Sequence, residues 1–224
     1  MNKKSFDISY GVQPFLAILA MWVTQDILMR YFFRNKIIQG REYLEYTEGS
    51  LILAPTHRSR WDGLILTYAT GRRVTKKDCR FMVTTPEMKG IQGWFLRRLG
   101  CFSINQEFPS MFSLRYAINL ILSQNQLVIF PEGKINKYGK KVQLKQGLFR
   151  LAKLAMKRGA PVKIVPIGIA YSQIKPKLGC KVALCIEKPL NLKDFANSSI
   201  GDFNAILFKS INDAELKALS LVGR

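Results

Sequence analysis

Apolar residues fall into two rhythms along the 224-residue chain: long stretches at helical spacing, and short continuous runs that stop at proline or glycine. Residues 13–33 (QPFLAILAMWVTQDILMRYFF) predict one helix, with Pro14 tolerated in its first turn. On helical spacing Asp26, Arg30 and Arg34 share one face, while Trp22, Met29 and Phe33 lie towards another. The segment reads either as a core helix of a soluble domain or as an interfacial helix in a headgroup layer, with Trp22, Tyr31, Phe32 and Phe33 as aromatic anchors. Its uninterrupted apolar run, Phe15–Val23, is well short of the roughly 20 residues a bilayer crossing needs, so no crossing is expected. No small-residue cleavage site comes after it, so no secretory leader is expected either.

Further along, short apolar runs alternate with helical periodicity. Leu51–Ala54 predicts a buried strand ended by Pro55, Trp61–Thr70 a helix closed by Gly71, and Arg80–Thr84 another strand. Met88–Leu99 is helical with Gly100 as its stop, and Cys101–Ile104 is a short strand. Residues 110–125 carry helical spacing with Ser110 as cap, and Leu127–Phe130 is a strand ending at Pro131. Leu144–Arg158 predicts a basic amphipathic helix stopped by Gly159. Strands Val162–Ala170 and Lys181–Ile186 and a closing helix near Asn204–Leu221 complete the chain. Strands alternating with helices indicate an α/β fold with a largely parallel or mixed sheet, and a single mixed sheet flanked by helices is expected. Two parts are expected, an N-terminal helical segment (1–34) and one domain (35–224).

Composition adds a partner class. Apolar residues make up 48% of the chain, which excludes a disordered segment, but 35 Lys+Arg against 15 Asp+Glu give a net charge of +20. The excess is concentrated in residues 57–160, with 20 basic and 5 acidic residues. Such a surface attracts nucleic acid, an anionic membrane face or phosphorylated substrates. No nucleic-acid-binding signature accompanies the charge, so a nucleic-acid partner is not expected. Cys79, Cys101, Cys180 and Cys185 form no metal-binding or disulfide spacing and read as reduced core residues; no metal site is expected.

Two polar signatures stand at strand ends. The single histidine, His57, comes after the Leu51–Ala54 strand, with Asp62 five residues on. On a regular helix that spacing separates the side chains, but they meet if His57 lies in the loop and Asp62 in the first helical turn. A carboxylate on one imidazole nitrogen then frees the other to take a proton from a hydroxyl. The same spacing also fits a structural histidine beside an unrelated aspartate. The second signature is Phe130-Pro131-Glu132-Gly133, where the glutamate either orders basic side chains or binds a substrate hydroxyl, or simply belongs to a turn. Ligands of open α/β sheets bind beyond the carboxyl ends of the strands, so the two can converge. Around them stand Arg58, Arg60, Lys89, Arg97, Arg98, Lys134, Lys137, Lys140, Lys141 and Lys145, of which a phosphate would engage two or three.

His57-x4-Asp62, then FPEG, then VPIGIAY (Val165–Tyr171) resembles, in motif order, the 1-acylglycerol-3-phosphate acyltransferase family, over about residues 35–190. The resemblance implies an αβ acyltransferase fold held on one membrane leaflet by its N-terminal helical segment. It also implies transfer of a fatty acyl chain from an acyl-carrier-protein or coenzyme A thioester to a lysophospholipid acceptor, at the free sn-2 hydroxyl of 1-acylglycerol 3-phosphate to give phosphatidic acid, with no other cofactor. The protein would then be peripheral (monotopic) on the cytoplasmic face, on an anionic membrane surface. Under it, His57 is the general base and Asp62 its orienting partner. The second motif falls on Gly100–Gln106, the third on Phe130–Asn136 and the fourth on Val165–Gly168. Arg97, Glu132, Gly133, Lys134 and Lys137 then bind the acceptor's phosphate region, and Phe102 and Pro166 position the acyl chain. The family commonly has arginine where Gln106 stands, and Thr-Arg-Ser where this chain has Lys134-Ile135-Asn136, so the acceptor is open: another lyso-lipid or glycerol 3-phosphate. Ser59 is a rival nucleophile. Oxyanion donors are expected among the backbone N–H groups near Gly133 or in the His57 loop.

Overall fold

The computed structural model describes residues 11–45, 49–137 and 142–224; Lys140 and Lys141 lie outside them. The chain begins with helix α1 (Pro14–Phe32) and strand β1 (Phe33–Gln39). Next are strand β2 (Ser50–Pro55), helix α2 (Asp62–Thr70), β3 (Cys79–Thr84), α3 (Gly90–Arg98) and β4 (Phe102–Ile104). Then come α4 (Met111–Leu122), β5 (Gln126–Val128), α5 (Gly147–Lys157), β6 (Val162–Tyr171), β7 (Cys180–Ile186), β8 (Leu190–Asn191) and α6 (Ile200–Val222). The strands form one sheet in the order β1-β7-β6-β2-β5-β3-β4, with β8 on β6. Neighbours are parallel except for β6 with β7 and β8, so the sheet is mixed.

Local chemistry explains the elements. All six residues of β2 are buried, as befits a central strand covered on both faces. The side chain of Ser110 accepts from the Ser113 N–H at 3.1 Å and caps α4; Ser199 does the same for α6 from Asp202. Phe203, Leu207, Ile211, Ala214, Ala218 and Val222 make one buried stripe along α6. That stripe, α4 and α5 cover one face of the sheet, and α2 and the end of α1 cover the other. At Gly168, in β6, a Cβ would stand 2.2 Å from the Ala214 carbonyl carbon and the Glu215 nitrogen, so α6 lies directly on the strand there. All four cysteines are free and buried; burial pushes Cys79 and Cys185 up to about 11 and Cys101 to about 12.

The N-terminal segment differs from expectation. The helix ends at Phe32 because Phe33–Gln39 is taken into the sheet beside β7, from Asn35↔Lys181 to Gln39↔Cys185. Arg34 therefore sits on a strand and does not share a face with Asp26, which pairs instead with Arg73 at 2.6 Å. Trp22 is 53% exposed while Met29 and Phe33 are buried. Trp22–Leu28 is wound as a π-helix, whose i→i+5 pattern rotates the residues after Leu28 away from α spacing. Counted with its two charges, α1 is 19 residues long with mean hydropathy 1.3, long and apolar enough to cross a membrane by length and composition. Its uninterrupted apolar run alone falls below that length.

Candidate active site

β2 delivers His57 into the loop at its carboxyl end, and α2 begins at Asp62. Five residues of separation become contact because only the second residue is helical. His57 Nδ1 lies 2.9 Å from Asp62 Oδ2. The same oxygen accepts the backbone N–H groups of Arg58 (2.6 Å) and Ser59 (2.8 Å), and Oδ1 accepts the Tyr171 hydroxyl at 2.6 Å. Asp62 is fully buried. A carboxylate that can only accept puts the imidazole proton on Nδ1, leaving a lone pair on Nε2. Among the described residues Nε2 has no hydrogen-bond partner, and the His57 side chain is 21% exposed. The ring stacks on Phe130 at 4.1 Å between centroids.

Behind the imidazole lies a buried ionic cluster. Arg58 Nη1 donates to both Glu132 oxygens (2.7 and 2.8 Å), while Nε and Nη2 hold Glu215 on α6 (2.5 and 2.6 Å). Glu132 also accepts the His57 backbone N–H at 3.0 Å. One buried cation serves two carboxylates. Both favour the charged guanidinium and raise the Arg58 pKa despite its burial. Glu132 has its pKa raised, chiefly by burial with repulsion from Glu215 added, and Arg58 offsets this only in part. The loop beyond Glu132 returns over His57: the Asn136 N–H donates to the His57 carbonyl at 2.7 Å.

The structure brings together some of the expected residues. Glu132 lies against the His57 loop, with its oxygens on Arg58 and the His57 N–H. Gly133 has φ +72° and faces both Gln106, whose amide donates to the Gly133 carbonyl at 2.6 Å, and the stem of Lys145. The second and third motifs therefore touch. Lys134 and Lys137 are exposed on the same loop. Arg97 is elsewhere engaged, donating to the Met88 carbonyl at 2.8 Å. Phe102 packs edge-on against Tyr116 in the edge strand β4. Pro166 is buried in β6, paired with Ala54 of β2, and on the other edge of the strand it lies between the stretches that pair with β7 and with β8. Of the expected oxyanion donors, four are committed: the His57, Arg58 and Ser59 N–H groups to carboxylates, and Gly133 N–H to the Phe130 carbonyl at 3.0 Å. Cavities of about 470 and 560 Å³ lie at residues 187–217 and around Lys77, Lys163 and Lys193, and His57 lines neither. No group of three or more His, Cys, Asp or Glu able to hold a metal occurs among the described residues.

Sequence reasoning missed the roles of Arg58, Tyr171 and Glu215. Arg58 stands among the cations expected around the site as phosphate partners, and it is buried. Glu215 had a readable signal, a carboxylate inside the apolar stripe of α6.

Comparison with known proteins gives concordant results. The family model described as Acyltransferase matches residues 36–170. A 1-acyl-sn-glycerol-3-phosphate acyltransferase of Streptococcus pneumoniae (strain ATCC BAA-255 / R6) is 33% identical over 166 residues, 72% of this chain and 57% of the relative. A glycerol-3-phosphate acyltransferase of Pseudoalteromonas translucida (strain TAC 125) is 28% identical over 162 residues, 62% of this chain and 19% of the relative. The chain thus spans a little over half the length of the first relative and about a fifth of the second. The crystal structure of the 1-acyl-sn-glycerophosphate acyltransferase from Thermotoga maritima superposes with a TM-score of 0.68 at 19% identity, covering 94% of this chain and 81% of that one. At that identity the likeness is one of fold.

Proposed function

The chain belongs to the acyltransferase family, and from that premise we propose that it transfers a fatty acyl chain from a thioester to the sn-2 hydroxyl of 1-acylglycerol 3-phosphate, giving phosphatidic acid. The observation that carries this reading is the partly exposed His57 ring, fixed on Asp62 through Nδ1, with no hydrogen-bond partner on Nε2 among the described residues. His57 Nε2 takes the proton of the acceptor hydroxyl as its oxygen attacks the thioester carbonyl. The C–O bond forms, the C–S bond breaks, and the imidazolium returns its proton to the departing thiolate. Asp62 keeps the tautomer and supports the transient imidazolium. Ser59 is not needed as a nucleophile: its hydroxyl accepts from the Trp61 N–H at 3.3 Å, and its own N–H is on Asp62.

Lys134, Lys137 and Lys145, around the Gly133 turn, are the cations we assign to the acceptor's phosphate; Arg97 is spent on Met88. A second reading keeps the chemistry but takes glycerol 3-phosphate as acceptor. It draws on Gln106, which stands where the family commonly has arginine and spends its amide on the Gly133 carbonyl. The donor is an acyl-carrier-protein or coenzyme A thioester. We place the enzyme on the cytoplasmic face of a membrane, with the exposed apolar side of α1 in the headgroup layer.

The test is acyl transfer in detergent micelles, with both thioesters, to 1-acylglycerol 3-phosphate and to glycerol 3-phosphate. Wild type is expected to form phosphatidic acid, and His57→Ala to lose at least about a hundredfold in rate, the usual weight of a general base. Full activity in His57→Ala overturns the mechanism. Product from glycerol 3-phosphate alone selects the second reading.

A further inference from the structure

We propose that Tyr171 is a positioning residue of this site: its hydroxyl, donating to Asp62 Oδ1, sets how strongly that carboxylate holds the His57 imidazole. The inference rests on the reading of His57 as general base, but its test does not depend on turnover. Tyr171 closes β6, one residue beyond the stretch matched by the family model.

The geometry divides the Asp62 carboxylate into two halves. Oδ2 takes its donors from the chain's own loop: His57 Nδ1 and the N–H groups of Arg58 and Ser59. Oδ1 takes the Tyr171 hydroxyl, 109 residues away, at 2.6 Å, within the short range of a charge-assisted O–H···O⁻ bond. Both side chains are fully buried, so water does not blur the interaction. The phenol has no freedom to wander. Its backbone is paired at Tyr171↔Val182 in β7, and its ring stacks on Phe33 at 6.0 Å.

The consequence has a sign. A proton donor on Oδ1 draws charge away from the carboxylate and weakens its pull on the imidazolium. Removing that donor leaves more charge on Asp62, favours protonated His57 and lifts its titration to higher pH. Among the described residues, the other charged groups joined to the His57 loop are Arg58, Glu132 from beyond β5 on the His57 backbone N–H, and Glu215 of α6, which acts through Arg58. Phe130, stacked on the ring, carries no charge. Tyr171→Phe leaves all of these in place and keeps the ring that fills the core.

His57 is the only histidine in the chain, so its imidazole resonances are unambiguous in NMR. Titrating full-length wild type and Tyr171→Phe in detergent micelles is expected to show the variant's His57 midpoint higher by roughly half a unit to one unit. The acid limb of kcat/KM should move with it; titration of the acceptor's own phosphate is common to both proteins and cancels. A merely structural tyrosine would lower Tm and leave the midpoint where it was. As a second measurement, 3-fluorotyrosine in the wild-type chain makes the phenol a stronger donor and should move the midpoint down. No movement in either direction overturns the proposal. Movement without any acyl transfer leaves Tyr171 coupled to His57 and instead defeats the general-base reading.

Discussion

At the scale of single residues, Glu132 is where stability and activity are expected to separate. Burial and the nearby Glu215 hold its carboxyl above the ordinary value of 4.5, and Arg58 recovers only part of that. In the unfolded chain the group loses its proton near the ordinary value, and in the folded protein at higher pH. Between those points the folded state binds more protons, so stability falls as pH rises through the window, and an ionised Glu132 opposes folding at neutral pH. Glu132→Gln removes that opposition and still leaves Arg58 its bidentate partner in Glu215, so no buried charge is stranded. The expected outcome at pH 7 is a stability within about 1 kcal/mol of wild type, or higher, with the variant gaining on wild type as pH rises. Activity should nevertheless fall about tenfold or more, because one amide oxygen replaces the two acceptors that hold Arg58 Nη1 and the His57 N–H. Urea unfolding from pH 4 to pH 8, run beside the transfer assay, checks both halves. A loss of several kcal/mol at pH 7 would show that the fold needs the charge.

Among elements, the contact between β6 and α6 decides whether the ionic cluster exists. Gly168 lets the helix lie closely on the strand, and from there Glu215 reaches Arg58 in the loop after β2. A methyl group at that position meets backbone rather than a flexible side-chain end, so the helix must move. Gly168→Ala is expected to cost about 1–3 kcal/mol, a fall of several degrees in Tm, and to lower kcat as Glu215 withdraws. Wild-type melting and kcat in this variant would show that the helix tolerates displacement and that Arg58 does not depend on it. Sequence patterning has no access to the Arg58–Glu215 contact, because it joins positions 157 residues apart. It does place the helices and most strands to within a few residues, since continuous apolar runs and capping serines are local signals. It misses β1, because Asp26, Arg30 and Arg34 keep helical spacing across the junction while pairing with β7 decides the matter. The site is legible to the same degree. His57 and Asp62 are near neighbours in sequence, and FPEG marks a strand end. Tyr171 and Glu215 reach the site only through tertiary packing.

The molecule as a whole presents two surfaces that a lipid substrate would bring together. One is chemical: a net charge of +20, concentrated in the stretch that carries the site. The other is the outer side of α1, where Phe15, Ile18, Leu19, Trp22, Val23 and Tyr31 are exposed while Gln25 and Met29 face inward. A helix of this kind, held to the domain by the Asp26–Arg73 pair and by Phe32 stacked on Trp61 at 4.0 Å, would lie along a headgroup layer rather than leave the domain. Electrostatic and apolar contributions should then be separable by salt. Flotation of the full chain with phosphatidylglycerol vesicles is expected to show strong binding that weakens steadily as salt rises, while neutral phosphatidylcholine vesicles bind more weakly and with little salt dependence. Replacing the exposed pair Ile18→Asn and Trp22→Asn, which should not disturb the core, is expected to weaken binding to both vesicle types by about tenfold or more and to leave the salt slope unchanged. Equal binding by this variant would remove α1 from the interface and leave the basic surface alone to hold the protein. Loss of the salt slope in wild type would remove the basic surface instead.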